Sequence, residues 1–173
     1  FVDIRTKRSD LVVEAGAWLA QWGRRVMLHF VGAANPELER ALRERAGSSD
    51  LAGLEVTGFV DEQTFRDFLF AIDVGVQLRI SSLLGVSGPL SDLAAFGTPA
   101  VASEGLCLDV RAPGYITPVP EMASPLQIAE ALERCIDNPM KPEELEVERQ
   151  AYLAAMSPAA YAQQLLDVVR GGK

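Results

Sequence analysis

The sequence predicts an α/β fold: a parallel sheet of about six strands with helices on both faces. Three observations carry this. Short apolar runs alternate with segments of helical periodicity along most of the chain. One of them, residues 25–32 (RVMLHFVG), is a short continuous apolar run, as in a strand covered on both faces. The helical segments open on capping residues, often followed by proline.

The elements follow in order. Residues 1–4 read as a strand. Ser9 can cap a helix whose apolar positions Leu11, Val12, Ala15, Trp18, Leu19 and Trp22 have helical spacing, and both tryptophans are expected in the core. The strand at 25–32 is followed by a helix opened by Asn35-Pro36, running to about Ala46. Residues 54–59 (LEVTGF) form the third strand, and Asp61 caps a helix with Phe65, Phe68 and Leu69 inward. Residues 73–78 (DVGVQL) form the fourth strand. A helix over 89–96 and a strand over 99–102 follow. A weaker strand covers 115–119. Ser124-Pro125-Leu126-Gln127 is a capping box for a helix with Ile128, Ala129, Leu132, Cys135 and Ile136 inward. Helices over about 142–156 and 158–169 close the chain and are expected to pack back on the body through Leu153, Met156, Tyr161, Leu165 and Val168.

Composition narrows the function. The 173 residues suit one domain with a sizeable core. An apolar content of 49% argues against disorder. A net charge of −8 argues against a general binder of nucleic acid or anionic membrane. No apolar run approaches a membrane span. There is no signal-peptide pattern, and the sequence opens at Phe1, which leaves its natural start open. Cys107 and Cys135 form no C-x-x-C pair, and Cys135 is expected to be a buried thiol; this suits a cytoplasmic location. His29 is the only histidine and lies in an apolar strand, so neither a metal site nor a nucleophilic triad can be assembled around it.

Ligands on parallel sheets sit beyond the carboxyl ends of the strands. There the sequence places Arg5, Lys7 and Arg8, then Gly32, then Gly58 with Phe59 and Val60, then Arg79 and a Ser/Gly loop over 81–88, then Ser103 and Glu104. Glycines and cations at one edge suit a phosphate-bearing ligand. Ser87 and Gly88 precede Pro89 at a helix start, where unpaired N–H groups carry about half a positive charge. The loop reads equally as a phosphate cradle or as a well-capped helix. Asp92 reads as an acceptor for a ribose diol or as an acid placed near a helix start.

A family resemblance sharpens these alternatives. The strings KRSDLVVEAGAWL, VMLHFVG, VTGFVDEQTFRDFLFAIDVGVQLR, GVSGPLSDLAAFGTPAVAS and ITPVPEMASPLQIAEAL, in this order, resemble the C-terminal half of group 1 (family 4) glycosyltransferases. The resemblance spans nearly all of residues 1–173 and implies a Rossmann-like domain, one half of a GT-B architecture, with the N-terminal acceptor domain absent. It implies the donor-binding half of a retaining glycosyltransferase, which takes a nucleoside-diphosphate-sugar and needs no protein-bound metal or other cofactor. By this resemblance Phe59 and Val60 meet the base, and Lys7 is the catalytic cation on the diphosphate. The Ser87 and Gly88 amides face the same diphosphate, and Asp92 stands for the second acid of a Glu-x7-Glu pattern, near the ribose. The partners implied are the sugar nucleotide and an N-terminal domain, with no nucleic acid and no membrane contact from this half; the chain alone is expected to transfer no sugar.

Departures accompany the match. The first acid of the pattern is Leu84, the second is Asp rather than Glu, and an arginine expected five residues before Lys7 is Val2. Arg5, Arg8 or Arg79 can replace that charge, and Arg79 is counted with the donor-binding residues. The alternative is a non-catalytic nucleotide-binding or interaction module derived from this fold. A sugar-nucleotide epimerase of the same architecture is a third reading.

Overall fold

The computed structural model describes residues 2–80 and 85–171. The described elements are α1 (Ser9–Gln21), β1 (Met27–Val31), α2 (Pro36–Gly47), β2 (Gly53–Gly58), α3 (Glu62–Ala71), β3 (Gly75–Gln77), α4 (Gly88–Phe96), β4 (Ala100–Ser103), α5 (Glu104–Val110), β5 (Ile116–Val119), α6 (Pro125–Asp137), α7 (Pro142–Ala155) and α8 (Pro158–Gly171). The strands run parallel, as the alternation of strands and helices requires. They form two sheets rather than one: β1 pairs with β2, and β4 sits between β3 and β5.

Five strands stand where about six were expected, and the difference lies at residues 1–4. Phe1 lies outside the described residues, and Val2 to Ile4 are not a strand. The Val2 N–H donates to the Ala33 carbonyl at 2.9 Å. The chain then turns, because the Asp3 carboxylate accepts from both the N–H and the hydroxyl of Thr6, each at 2.6 Å, and from the Lys7 N–H at 3.2 Å. An aspartate that collects the amides just after it makes a turn and ends the extended segment there.

The core is built around β4, all four of whose residues are buried. Alternate strand residues face opposite sides. Ala100 and Ala102 meet Leu90, Leu93, Leu106 and Tyr115, while Val101 meets Leu19, Ile128 and Leu132. The helices α4 and α5 therefore cover one face and α6, with α1 packed against it, the other. A smaller cluster of Val13, Leu38 and Leu42 joins α1 and α2 to the β1–β2 sheet.

Most caps fall where the sequence placed them. Asn35 accepts from the Leu38 N–H at 2.7 Å, Asp61 from the Thr64 N–H at 2.7 Å, and Ser124 and Gln127 form the reciprocal box. Ser9 is a correction: it lies inside the first turn, and its hydroxyl donates to the Asp3 carbonyl at 2.9 Å instead of capping α1. Helix α5 follows β4 directly, where the sequence predicts no helix.

The tryptophans are also corrected. Trp18 and Trp22 pack against each other at 6.3 Å but remain over one-third exposed. The inward face of α1 is Val13, Ala15, Gly16 and Leu19. A Cβ at Gly16 would lie 3.1 Å from Leu51 and 3.2 Å from Leu28, so the small residue sets a close approach that leaves the indoles at the rim. At the carboxyl end, α7 packs on α4 through the buried Tyr152, whereas α8 contacts α7 and has no buried residue. Tyr161, Leu165 and Val168, expected to be covered, are exposed.

Candidate functional site

The turn made by Asp3 places residues 5–8 beyond the carboxyl ends of β1 and β3. Val2 bonds to Ala33 past the end of β1, and the Ile80 N–H donates to the Thr6 carbonyl at 3.2 Å past the end of β3. Lys7 is half-buried here, while Arg5 is exposed. Arg8 holds a left-handed backbone conformation, φ 51°, that starts α1. Hydrogen bonds from Thr6 and the Lys7 amide hold the Asp3 carboxyl below its ordinary range, although burial acts the other way.

The exit of β3 is fixed by a residue that sequence reasoning gave no role. Ser103 is buried at the end of β4, and its hydroxyl accepts from the Arg79 N–H at 2.8 Å. Its only sequence signal is a serine closing an apolar strand. The Arg79 guanidinium then donates to the Gly85 carbonyl at 2.6 Å, so this side chain spans from the strand end to the loop that enters α4. Leu84 lies outside the described residues.

At the start of α4, Ser87 is 2% exposed and already committed. Its hydroxyl accepts from the Leu90 N–H at 3.4 Å, and its carbonyl accepts from Ser91. The Ser87 hydroxyl is thus a cap. Gly88 differs: it is exposed, and a Cβ built on it meets nothing within 4 Å. Pro89 has no N–H and that of Leu90 is held by Ser87, so an anion at this end of the nine-residue helix would meet the Gly88 N–H and the positive helix end.

Asp92 lies past the first turn of α4 and is half-buried; burial raises its carboxyl above the ordinary value. Its electrostatic neighbour is Tyr152 of α7, whose hydroxyl is raised by burial and by this carboxylate, against a bond to Ser91. Phe59 stands apart. It follows β2 and is 93% exposed, with Val60 half-buried beside it. The structure thus brings Lys7, Arg79 and the α4 start to one edge. It leaves the Phe59 ring uncovered and sets Asp92 beside α7.

Other reactive groups are accounted for. His29 Nδ1 lies 3.0 Å from Glu55, in a cross-strand pair with the β2 residue opposite. The Cys107 thiol is pushed up to about 11 by burial and by Glu104, which makes it a poor nucleophile. Cys135 is half-buried and lies 3.2 Å from the Thr117 hydroxyl. Among the described residues no group of three or more His, Cys, Asp or Glu is arranged to hold a metal, and no helix is long and apolar enough to cross a membrane.

A cavity of about 740 Å³ opens beside this edge and runs down between the two sheets. Lys7 and Pro89 line it, but most of its wall is apolar strand and helix. It is a gap in the fold below the candidate site, not the site itself.

No family model matches the sequence, and no curated protein matches it. Solved structures do. HepE of Anabaena, solved with UDP and glucose, aligns with a TM-score of 0.68 at 16% identity, over 95% of this chain and 45% of HepE. AviGT4, a glycosyltransferase involved in avilamycin A biosynthesis, aligns with a TM-score of 0.58 at 21% identity, over 91% of this chain and 46% of AviGT4. The chain has the fold of one half of these proteins. It spans less than half the length of either.

Proposed function

We propose that this chain is the donor-binding, C-terminal half of a retaining GT-B glycosyltransferase of the group 1 type and binds a nucleoside-diphosphate-sugar. One observation carries the reading. On a fold shared with half of HepE, a protein solved with UDP and glucose, the strand ends gather Lys7, Arg79 and the open start of α4 at Gly88. Lys7 and the α4 amides neutralise the diphosphate, and the same charges stabilise it as it leaves. Phe59 and Val60 take the base, and Asp92 the ribose. The chemistry needs positioning and fixed positive charge, with no metal and no covalent help from the chain. A cytoplasmic location fits a sugar-nucleotide donor. Transfer needs an acceptor held by a second domain, so the 173 residues alone are inactive.

Calorimetric titration with a panel of nucleoside diphosphates and their sugars tests this. Position 84 carries leucine where the resemblance puts an acid for the sugar hydroxyls. A buried hydroxyl left unpaired costs about 1–3 kcal/mol, roughly one to two decades of affinity. The free diphosphate is therefore expected to bind at least as well as its sugar. Lys7→Ala weakens both, and Asp92→Asn favours neither. Unchanged diphosphate binding in Lys7→Ala overturns the placing of the phosphate. A sugar nucleotide that binds tenfold tighter than its diphosphate shows that another residue reads the sugar. Leu84 and Val2 favour a second reading, a nucleotide-binding or interaction module without transfer activity. It gains if the full-length protein binds nucleotide yet consumes no donor.

A further inference from the structure

Ser103 ends β4 and is the N-cap residue of α5, yet its hydroxyl makes no cap bond to that helix. A serine in this place ordinarily accepts from an amide two or three residues on. This one accepts instead from the Arg79 N–H at 2.8 Å, across the sheet. The backbone ladder of β3 with β4 stops at Gln77 and Ala102, so the hydroxyl adds one bond beyond its end. Ser103 is 1% exposed, so it acts on its neighbours and not on a ligand. The bond fixes where the chain leaves β3.

From there the chain reaches in two directions. The Arg79 guanidinium donates to the Gly85 carbonyl at 2.6 Å, just ahead of Gly88, the first residue of α4. Gly85 has φ 79°, a conformation that glycine adopts without strain. A guanidinium is always charged and its donors are held in a rigid plane, so its bond to a carbonyl is stronger and better aimed than a neutral one. The following N–H, that of Ile80, donates to the Thr6 carbonyl at 3.2 Å, next to Lys7. Thr6 is itself held by the Asp3 carboxylate. Two adjacent residues thus tie the start of α4 to the turn that carries Lys7, parts that are far apart in the sequence.

We propose that Arg79 is a positioning residue for the diphosphate. Its guanidinium stays on the Gly85 carbonyl and sets the Gly88 N–H against Lys7, and Ser103 is the buried anchor of this tie. The charge of Arg79 is used within the chain rather than on the ligand. An anion held between two groups binds less well when either is displaced by about 1 Å. The ligand rests on the donor-site reading above; the tie does not.

The test compares Arg79→Met and Ser103→Ala with the wild-type chain, first without ligand. Arg79→Met is expected to shift the backbone amide resonances of Val86, Ser87 and Gly88 and to leave Tm within about 2 °C. Ser103→Ala is expected to speed hydrogen exchange at the Arg79 amide about tenfold or more. UDP, ADP and GDP are then titrated, and the tightest binder is carried forward. Both variants should bind it about tenfold more weakly. At saturation the Gly88 amide of Arg79→Met should respond less than in the wild type, while Lys7 responds as before. The Arg79 side-chain N–H resonances of the wild type should not move. Unshifted amides at 86–88 in ligand-free Arg79→Met overturn the proposal, whatever binds. Ligand-induced movement of the Arg79 side-chain signals with an unchanged Gly88 response also overturns it, since Arg79 then touches the phosphate itself. A fall in Tm with unchanged affinity overturns it in favour of a bond that only stabilises the fold. If Ser103→Ala does not fold, Arg79→Met carries the test. If none of the three diphosphates binds the wild type, the donor-site reading fails, and the ligand-free shifts decide whether the tie exists.

Discussion

The β3–β4–β5 sheet and the β1–β2 sheet are made of similar parallel strands, yet they are buried very differently. Every residue of β4 is buried, between α4 and α5 on one face and α6 on the other. No residue of β1 or β2 is fully buried, and their cluster has only Val13, Leu38 and Leu42 at its centre. The reason is position in the sheet. β4 has a strand on each side, whereas β1 pairs only with β2 among the described strands. Burial follows from neighbours on all four sides, and apolar content alone does not supply them.

The largest expected effect breaks the better-packed region. Leu90 is fully buried on α4, and Leu90→Ala is expected to cost about 2–5 kcal/mol in urea unfolding. Leu54→Ala in β2, half-buried in the smaller cluster, should cost about 1–2 kcal/mol. Equal losses would mean that the two regions are equally well packed.

Next comes the closure of α4 against α7. Gly97 ends α4 at φ 76°, and a Cβ there would lie 2.9 Å from both Arg149 and Leu145. Arg149 reaches the Ala95 carbonyl at 3.2 Å while paired with Glu146. Gly97→Ala is expected to cost about 2 kcal/mol, while Gly23→Ala should cost only the conformational part, about 1 kcal/mol. Gly23 also has positive φ, but a Cβ there meets nothing within 4 Å. Thermal unfolding of both variants separates crowding from backbone strain.

Smaller effects sharpen the comparison at the helix starts. Ser124→Ala removes one half of the capping box of α6, and Asn35→Ala removes the cap of α2. Each is expected to cost about 1 kcal/mol globally. Hydrogen exchange should show α2 fraying locally, since it leans on the smaller cluster, whereas α6 loses protection only with the whole domain.

The smallest effect is a pH dependence with two opposite signs. Asp3 is lowered in the folded state, so its contribution is present above its unfolded value of 3.8 and is lost as pH falls through the folded value. Asp92 is raised by burial, so ionising it costs folded stability at neutral pH, and that cost disappears as pH falls through its folded value. Asp92→Asn should therefore stabilise slightly at pH 7 and not at all below 3.8, while Asp3→Asn should destabilise at pH 7. Denaturant midpoints across this range check both signs.

Local chemistry was legible in the sequence wherever neighbours along the chain decide the outcome. The caps at Asn35, Asp61 and Ser124 need only a side-chain oxygen and an amide three residues on, and each is found as read. The parallel α/β class followed from the alternation of strands and helices, and the edge where cations and the α4 start gather followed from chain direction alone. What the tertiary structure decided lies between distant residues. The hydroxyl of Ser103 on the Arg79 amide joins positions 24 apart, and no local pattern announces it. Trp18 and Trp22 share helical spacing with Leu11 and Leu19, yet Gly16 draws the other side of α1 inward and leaves them at the rim. Residues 1–4 have strand-forming residue types. The Asp3 carboxylate instead turns the chain at once, by holding the amides of Thr6 and Lys7. Sequence determines which groups seek partners nearby; the fold determines which distant partners come within reach.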